Sequence, residues 1–243
     1  KAMSLQITGL MWLRTATNFQ YRYGLSTYET FKKIYRDGGV LRFYNGYLPC
    51  LTMGCLCRFG DIYSLTLVNN YMKNENIILR TTTTSTLSTF IRINLMPLDN
   101  LDNMLQVEGR NAFRNLKYKI KNHGIGILYY GGGISIIYNL IGNFSWFGIY
   151  NLLDKPDSSN IYNGFVGLTC SVASDISTNP LRVLKINKQT MLDRVGYTNI
   201  FMDIYKNKGI LEFWKRGLGI RMFSHGIQSS LFVVLWKYIE NRT

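Results

Sequence analysis

The ten residues Pro97-Leu98-Asp99-Asn100-Leu101-Asp102-Asn103-Met104-Leu105-Gln106 decide how the chain is read, because the pattern occurs twice more. Met11 to Gln20 (MWLRTATNFQ) and Pro180 to Gln189 (PLRVLKINKQ) align with it, and the closing glutamines Gln20, Gln106 and Gln189 stand 86 and 83 residues apart. Each segment is followed 25 to 28 residues later by an aromatic-rich step ending in glycine: RFYNG at Gly46, ILYYG at Gly131 and FWKRG at Gly217. Self-similarity at a near-constant period marks a repeated supersecondary unit. Between motif and step lies a short amphipathic stretch (STYETFKKIYRDGG, NLKYKIKNHG, YTNIFMDIYKNKG) that closes on glycine, as helix C-termini do. The unit therefore reads long helix, short surface helix, long helix. Three units, about 1–75, 76–156 and 157–243, fill a single domain.

The long helices carry a membrane signal. Gly124 to Leu153 includes no Asp, Glu, Lys, Arg or His, and about 20 such residues suffice to cross a bilayer. Five further stretches of similar length hold one or two charges each: Met3–Tyr21 with Arg14, Gly46–Met72 with Arg58 and Asp61, Thr81–Leu101 with Arg92 and Asp99, Asn163–Leu181 with Asp175, and Gly217–Trp236 with Arg221. A mean hydropathy of -0.03 suits helices that face lipid on one side and a polar interior on the other. The fold class expected is an all-α membrane protein, six transmembrane helices in three pseudo-symmetric hairpins, each with a short surface helix.

Composition narrows the function. Lys and Arg total 28 against 14 acidic residues in 243, an excess that suits an anionic membrane surface, an anionic solute or nucleic acid. Nucleic acid is set aside, since no zinc spacing, RNP-like strand or basic helix run is present. Cys50, Cys55, Cys57 and Cys170 lack metal-site spacing and read as small buried residues, so no metal or cofactor is expected. His123 and His225 have no nucleophile partner by pattern, and Gly131-Gly132-Gly133 lacks the Lys and Ser or Thr of a phosphate loop, so no catalytic residue is assigned. The opening Lys1-Ala2-Met3 shows no cleavable presequence.

Over essentially its whole length the chain resembles the mitochondrial carrier family, whose signature is Pro-x-Asp/Glu-x-x-Lys/Arg-x-Lys/Arg, often with Gln two residues on. The copy at Pro97 keeps Pro, Asp and Gln, the copy at Pro180 keeps Pro, Lys and Gln, and the first keeps only Gln20. The resemblance implies helix kinks at Pro97 and Pro180 that close a cavity on the matrix side; Met11 cannot kink. It implies a matrix-side gate, with Leu13, Asp99 and Arg182 at the acid positions and Ala16, Asp102 and Lys185 at the base positions, alongside Gln106 and Gln189. Pairing these between neighbouring helices leaves Ala16 with Asp99 and Lys185 with Leu13, both lacking a partner charge. Asp102 with Arg182 keeps two charges of exchanged polarity; the other reading is two unrelated solvated charges. At the opposite end of the cavity the implied gate holds a second reversed pair, Asp154 with Lys237.

Further implications of the resemblance are solute contacts at Met53 and Gly54, Tyr138 and Asn139, and Ser224 and His225. None of these is cationic, and Arg221 and Arg58 are the nearest basic residues. Cardiolipin is expected at the steps Gly46, Gly131 and Gly217, near Asn115 and Asn199, where helix N-termini favour phosphate. The partners expected are the lipid bilayer and cardiolipin in the mitochondrial inner membrane. Two functions remain open. Degraded gates favour a carrier-derived structural subunit of a larger respiratory membrane complex, with a cavity free of converging cations. The alternative is an active carrier moving a small metabolite by alternating access.

Overall fold

A computed structural model describes residues 2–72, 75–153 and 159–228. Among them the regular structure is entirely helical, without strands. In chain order the helices are α1 (Ala2–Tyr23), α2 (Thr27–Gly38), α3 (Tyr47–Tyr71), α4 (Ile77–Asn94), α5 (Met96–Glu108), α6 (Ala112–His123), α7 (Gly132–Leu153), α8 (Asn160–Thr190), α9 (Tyr197–Lys208) and a one-turn α10 (Glu212–Lys215). Residues 218–228 are also helical and are called α11.

The two prolines act differently. Pro97 has no amide hydrogen and crowds the turn before it, so one helix ends at Asn94 and the next begins at Met96, with Leu95 between. Pro180 lies within α8, which runs through it. The carbonyl of Ile176, which residue 180 would have bonded in an unbroken helix, instead accepts the indole N–H of Trp214 at 3.1 Å. In α1 Met11 lets the helix run from Ala2 to Tyr23.

Long helices form a ring: α1 touches α3, α3 packs on α4, α4 meets α7, and α7 lies along α8. The positions of Gly217 beside Tyr21 and Gly226 beside Leu168 seat α11 between α1 and α8. The C-terminal halves of α1, α5 and α8 converge on one another. There the apolar core forms. One cluster joins Tyr21, Val107, Val183, Ile186, Ile200, Ile204 and Phe213, and a second joins Leu13, Ala16, Phe19, Ile34, Phe43 and Ile220. The short helices seal this end; α2 is started by a reciprocal cap between Ser26 and Glu29.

Elsewhere the usual distribution is inverted. Phe59, Ile62, Phe90, Phe144, Phe165 and Leu168 are exposed on the outer faces, whereas Asn18, Asp99, Asp102, Asn103, Gln106, Lys185 and Gln189 are buried inside. An apolar exterior of this extent marks a surface made for lipid or a partner. Among the described residues one helical run, Ile125–Tyr150, is long and apolar enough to cross a membrane unaided.

Candidate functional site

Where α1, α5 and α8 converge, their polar side chains join into one belt. The Lys185 ammonium meets the Asp99 carboxylate at 2.7 Å. Arg14 reaches Asp102, which is wholly buried, at 2.9 Å. Each carboxylate is braced by a motif glutamine: Gln106, from the same motif copy, donates to Asp102 at 2.5 Å, and Gln189, from the third copy, donates to Asp99 at 2.9 Å. Asn18 donates to Gln106 at 2.6 Å and to Asn103 at 3.0 Å, and Asn103 donates to Gln189 at 2.8 Å. The belt thus runs unbroken from Arg14 through Asp102, Gln106, Asn18, Asn103, Gln189 and Asp99 to Lys185. Every buried amide in it has a partner, which is the condition for a buried polar network to hold.

This corrects the expected pairing. Arg182 does not meet Asp102: its Nε donates to the Thr178 hydroxyl at 3.1 Å and its guanidinium lies 4.4 Å from the centre of the Tyr138 ring. Lys185 is not left without a charge either, since its partner is Asp99. The ring closes in the opposite sense to the one assumed, and the step glycines show why. A Cβ on Gly46 would stand 2.9 Å from Asp102 on α5, one on Gly131 would stand 3.2 Å from Lys185 and Gln189 on α8, and one on Gly217 would stand 2.7 Å from Tyr21 on α1. Each step therefore presses on the long helix that follows it round the ring, with φ of +87°, +90° and +67° respectively. Spacing along a helix carries no information about that sense.

The sector between α8 and α1 has no ion pair among the described residues. Leu13 and Ala16, at the motif's acid and base positions, are absorbed into the apolar cluster with Phe19 and Ile220. Arg14, one residue beyond Leu13, supplies the charge facing Asp102 that the aligned position lacks.

Above the belt lies a cavity of about 320 Å³. Arg14, Arg182, Lys185 and Arg221 all line it, so the expected absence of converging cations is overturned. Asp175, buried on α8, holds Arg221 at 2.7 Å and the His225 ring at 3.1 Å. Of the positions singled out as solute contacts, Tyr138, Ser224, His225 and Arg221 line this cavity. Met53 and Asn139 line a smaller neighbouring pocket together with Arg92 and Tyr138. Gly54 lies on α3 outside both, and Arg58 is exposed on that helix. Asp154 and Lys237 lie outside the described residues. Sequence reasoning missed the roles of Arg14, Asn18 and Asn103. Arg14 and Asp175 were visible only as charges within apolar stretches, and that was the signal available.

Cations also close the helix ends below the belt. Arg42 donates to the carbonyls of Gln106 and Val107 at 2.9 Å each, at the C-terminus of α5, while Lys119 on α6 donates to the Gln189 carbonyl at 2.5 Å at the end of α8. Both places suit a positive charge. Burial, with Arg22 adding to it, nonetheless pulls the Lys119 ammonium from 10.5 down to about 8. Between those values the unfolded chain still holds a proton that the folded protein has lost. Stability therefore rises with pH from about 8 to 10.5 and is lowest, as far as this group is concerned, below 8. Thermal unfolding of the purified protein at pH 7 and pH 10 measures that rise, and Lys119→Met removes it.

Residues 156–242 match the family model described as mitochondrial carrier protein. That match supports membership of the mitochondrial carrier family. The matched span contains the Pro180 motif, Arg182, Lys185, Gln189 and the step at Gly217. Comparison of the chain with curated proteins found no match.

Proposed function

We propose that the chain is a solute carrier of the mitochondrial inner membrane, with six membrane-crossing helices in three repeats, and that it works by alternating access. The observation that carries this reading is the belt itself, a floor under a polar cavity whose bonds, apart from the one from Gln106 to Asp102 within α5, run between separate long helices. One buried ion pair, Lys185 with Asp99, one half-exposed pair, Arg14 with Asp102, and a few amide contacts make a seal that can break, because the attraction within a buried pair is largely offset by the hydration its charges regain on separation. The inverted surface, apolar outside and polar inside, supports the membrane placement. The free amides that begin α3, α7 and α11, just after Gly46, Gly131 and Gly217, suit anionic headgroups such as those of cardiolipin.

A structural subunit of a respiratory complex is the second reading, favoured by the loss of charge at Leu13 and Ala16. Reconstitution separates the two. Purified protein in liposomes is expected to exchange at least one small anion from a panel of carboxylates, phosphate and nucleotides, and Arg221→Ala is expected to abolish that flux. A silent panel, together with loss of a respiratory complex when the protein is depleted from cells, overturns the carrier reading.

A further inference from the structure

The charges around the cavity specify more than a polar solute. Arg14, Arg182, Lys185 and Arg221 face three carboxylates, Asp99, Asp102 and Asp175, and the three ion pairs among them leave Arg182 as the cation without a carboxylate among the described residues. Arg182 is positioned but not saturated. Nε is spent on Thr178 and the guanidinium plane is steadied by Tyr138, yet the two terminal nitrogens have no protein acceptor among the described residues. Those nitrogens form the planar fork that a carboxylate matches with two parallel hydrogen bonds.

Along α1 the same cavity is lined first by Ile7, Leu10 and Met11, a short apolar patch, and then by Arg14, Thr17, Asn18 and Tyr21. The volume of about 320 Å³ holds about ten waters at the liquid share of about 30 Å³ each. We infer that the cavity binds a small organic monocarboxylate, its carboxylate on Arg182 and its short apolar body against Ile7, Leu10 and Met11. The inference rests on the carrier reading for its purpose but not for its test.

Charge selects within the class. A neutral solute leaves the half-buried Arg182 without a counter-charge. A dianion adds a negative charge that no cation is free to meet, and the cost of an uncompensated charge in such a site is large. Inorganic phosphate and phosphate monoesters, close to doubly charged at neutral pH, fall on the wrong side of that balance. The His225 ring is already engaged by Asp175, with Arg221 beside it and Arg182 and Tyr21 on the facing helices.

The test is ligand-induced stabilisation of the purified full chain in detergent at constant ionic strength and pH 7.5, since a ligand that binds only the folded form raises its apparent melting temperature. Benzoate and propionate are expected to give saturable shifts. Benzamide and propionamide are expected to give none, and succinate, phthalate and inorganic phosphate to need at least tenfold higher concentrations. Arg182→Gln is expected to weaken benzoate at least tenfold and Arg182→Lys by less. Both variants are expected to melt near the parent without ligand, because removing Arg182 leaves no carboxylate unpaired.

Amides binding as well as acids, dianions binding more tightly than monoanions, no shift with any acid, or full affinity in Arg182→Gln would each overturn the inference. Binding without liposome flux refutes transport and leaves the site standing. Flux of other solutes without carboxylate binding does the reverse.

Discussion

Lys185→Met is expected to destabilise the protein by about 3–5 kcal/mol, the usual consequence of removing one partner of a buried ion pair. Asp99 is 4% exposed, and with Lys185 gone it keeps only the amide of Gln189 against the cost of its burial. Adding Asp99→Asn to that variant is expected to return much of the loss, because no unpaired charge then remains and asparagine can still accept from Gln189. The double-mutant cycle, read by thermal or denaturant unfolding, isolates the pair. Near-additivity of the two substitutions would show that the 2.7 Å contact carries no coupling. Arg14→Met is expected to destabilise as well, because it leaves the wholly buried Asp102 with only the amide of Gln106, although the 42% exposed Arg14 side chain itself gives up little packing.

The second large effect lies at a backbone position. Gly217→Ala is expected to cost about 2–4 kcal/mol. A residue with a Cβ at φ +67° loses about 1–2 kcal/mol from the left-handed conformation alone. The added carbon would also stand 2.7 Å from the Tyr21 ring and 3.1 Å from the Thr17 carbonyl, an overpacking typically worth 1–3 kcal/mol. Tyr21 is fully buried and bonded to Asn179, so its ring has little room to turn aside. Gly219→Ala two residues on is the control, since nothing lies within 4 Å of its Cβ and its φ is ordinary. It is expected to leave stability unchanged or slightly raised. Equal melting temperatures for the two variants would mean that the step does not press on α1.

Much of the architecture was legible because its punctuation is chemical. The glutamines at 20, 106 and 189 and the glycines at 46, 131 and 217 set the period, and the structure puts two of those glutamines and all three of those glycines where long helices meet. The identity of each pair was not legible. Asp99 and Lys185 were named as gate positions, but which base an acid meets depends on the sense of the ring, which only tertiary packing fixes. Alignment by column also hid Arg14, displaced by one residue from the position where a charge was sought. The cavity was underestimated for a related reason. Its cations come from α1, α8 and α11, whereas the positions inspected lie on α3, α7 and α11 alone.

Under the proposed membrane placement, the scarcity of apolar runs bears on how the chain would enter a bilayer. Ile125–Tyr150 alone among the described helices has the hydropathy to partition into lipid without help. Its neighbour α8 carries Asp175, whose counter-charge Arg221 arrives 46 residues later, and α5 carries Asp102, whose counter-charge Arg14 precedes it by 88. A segment delivered singly would expose its carboxylate or guanidinium to hydrocarbon. Under that placement, insertion would require the segments to be handled together, with charges cancelled between distant parts of the polypeptide before any of them is released laterally. Under that placement, a chain truncated before Arg221 would leave Asp175 on α8 without its counter-charge.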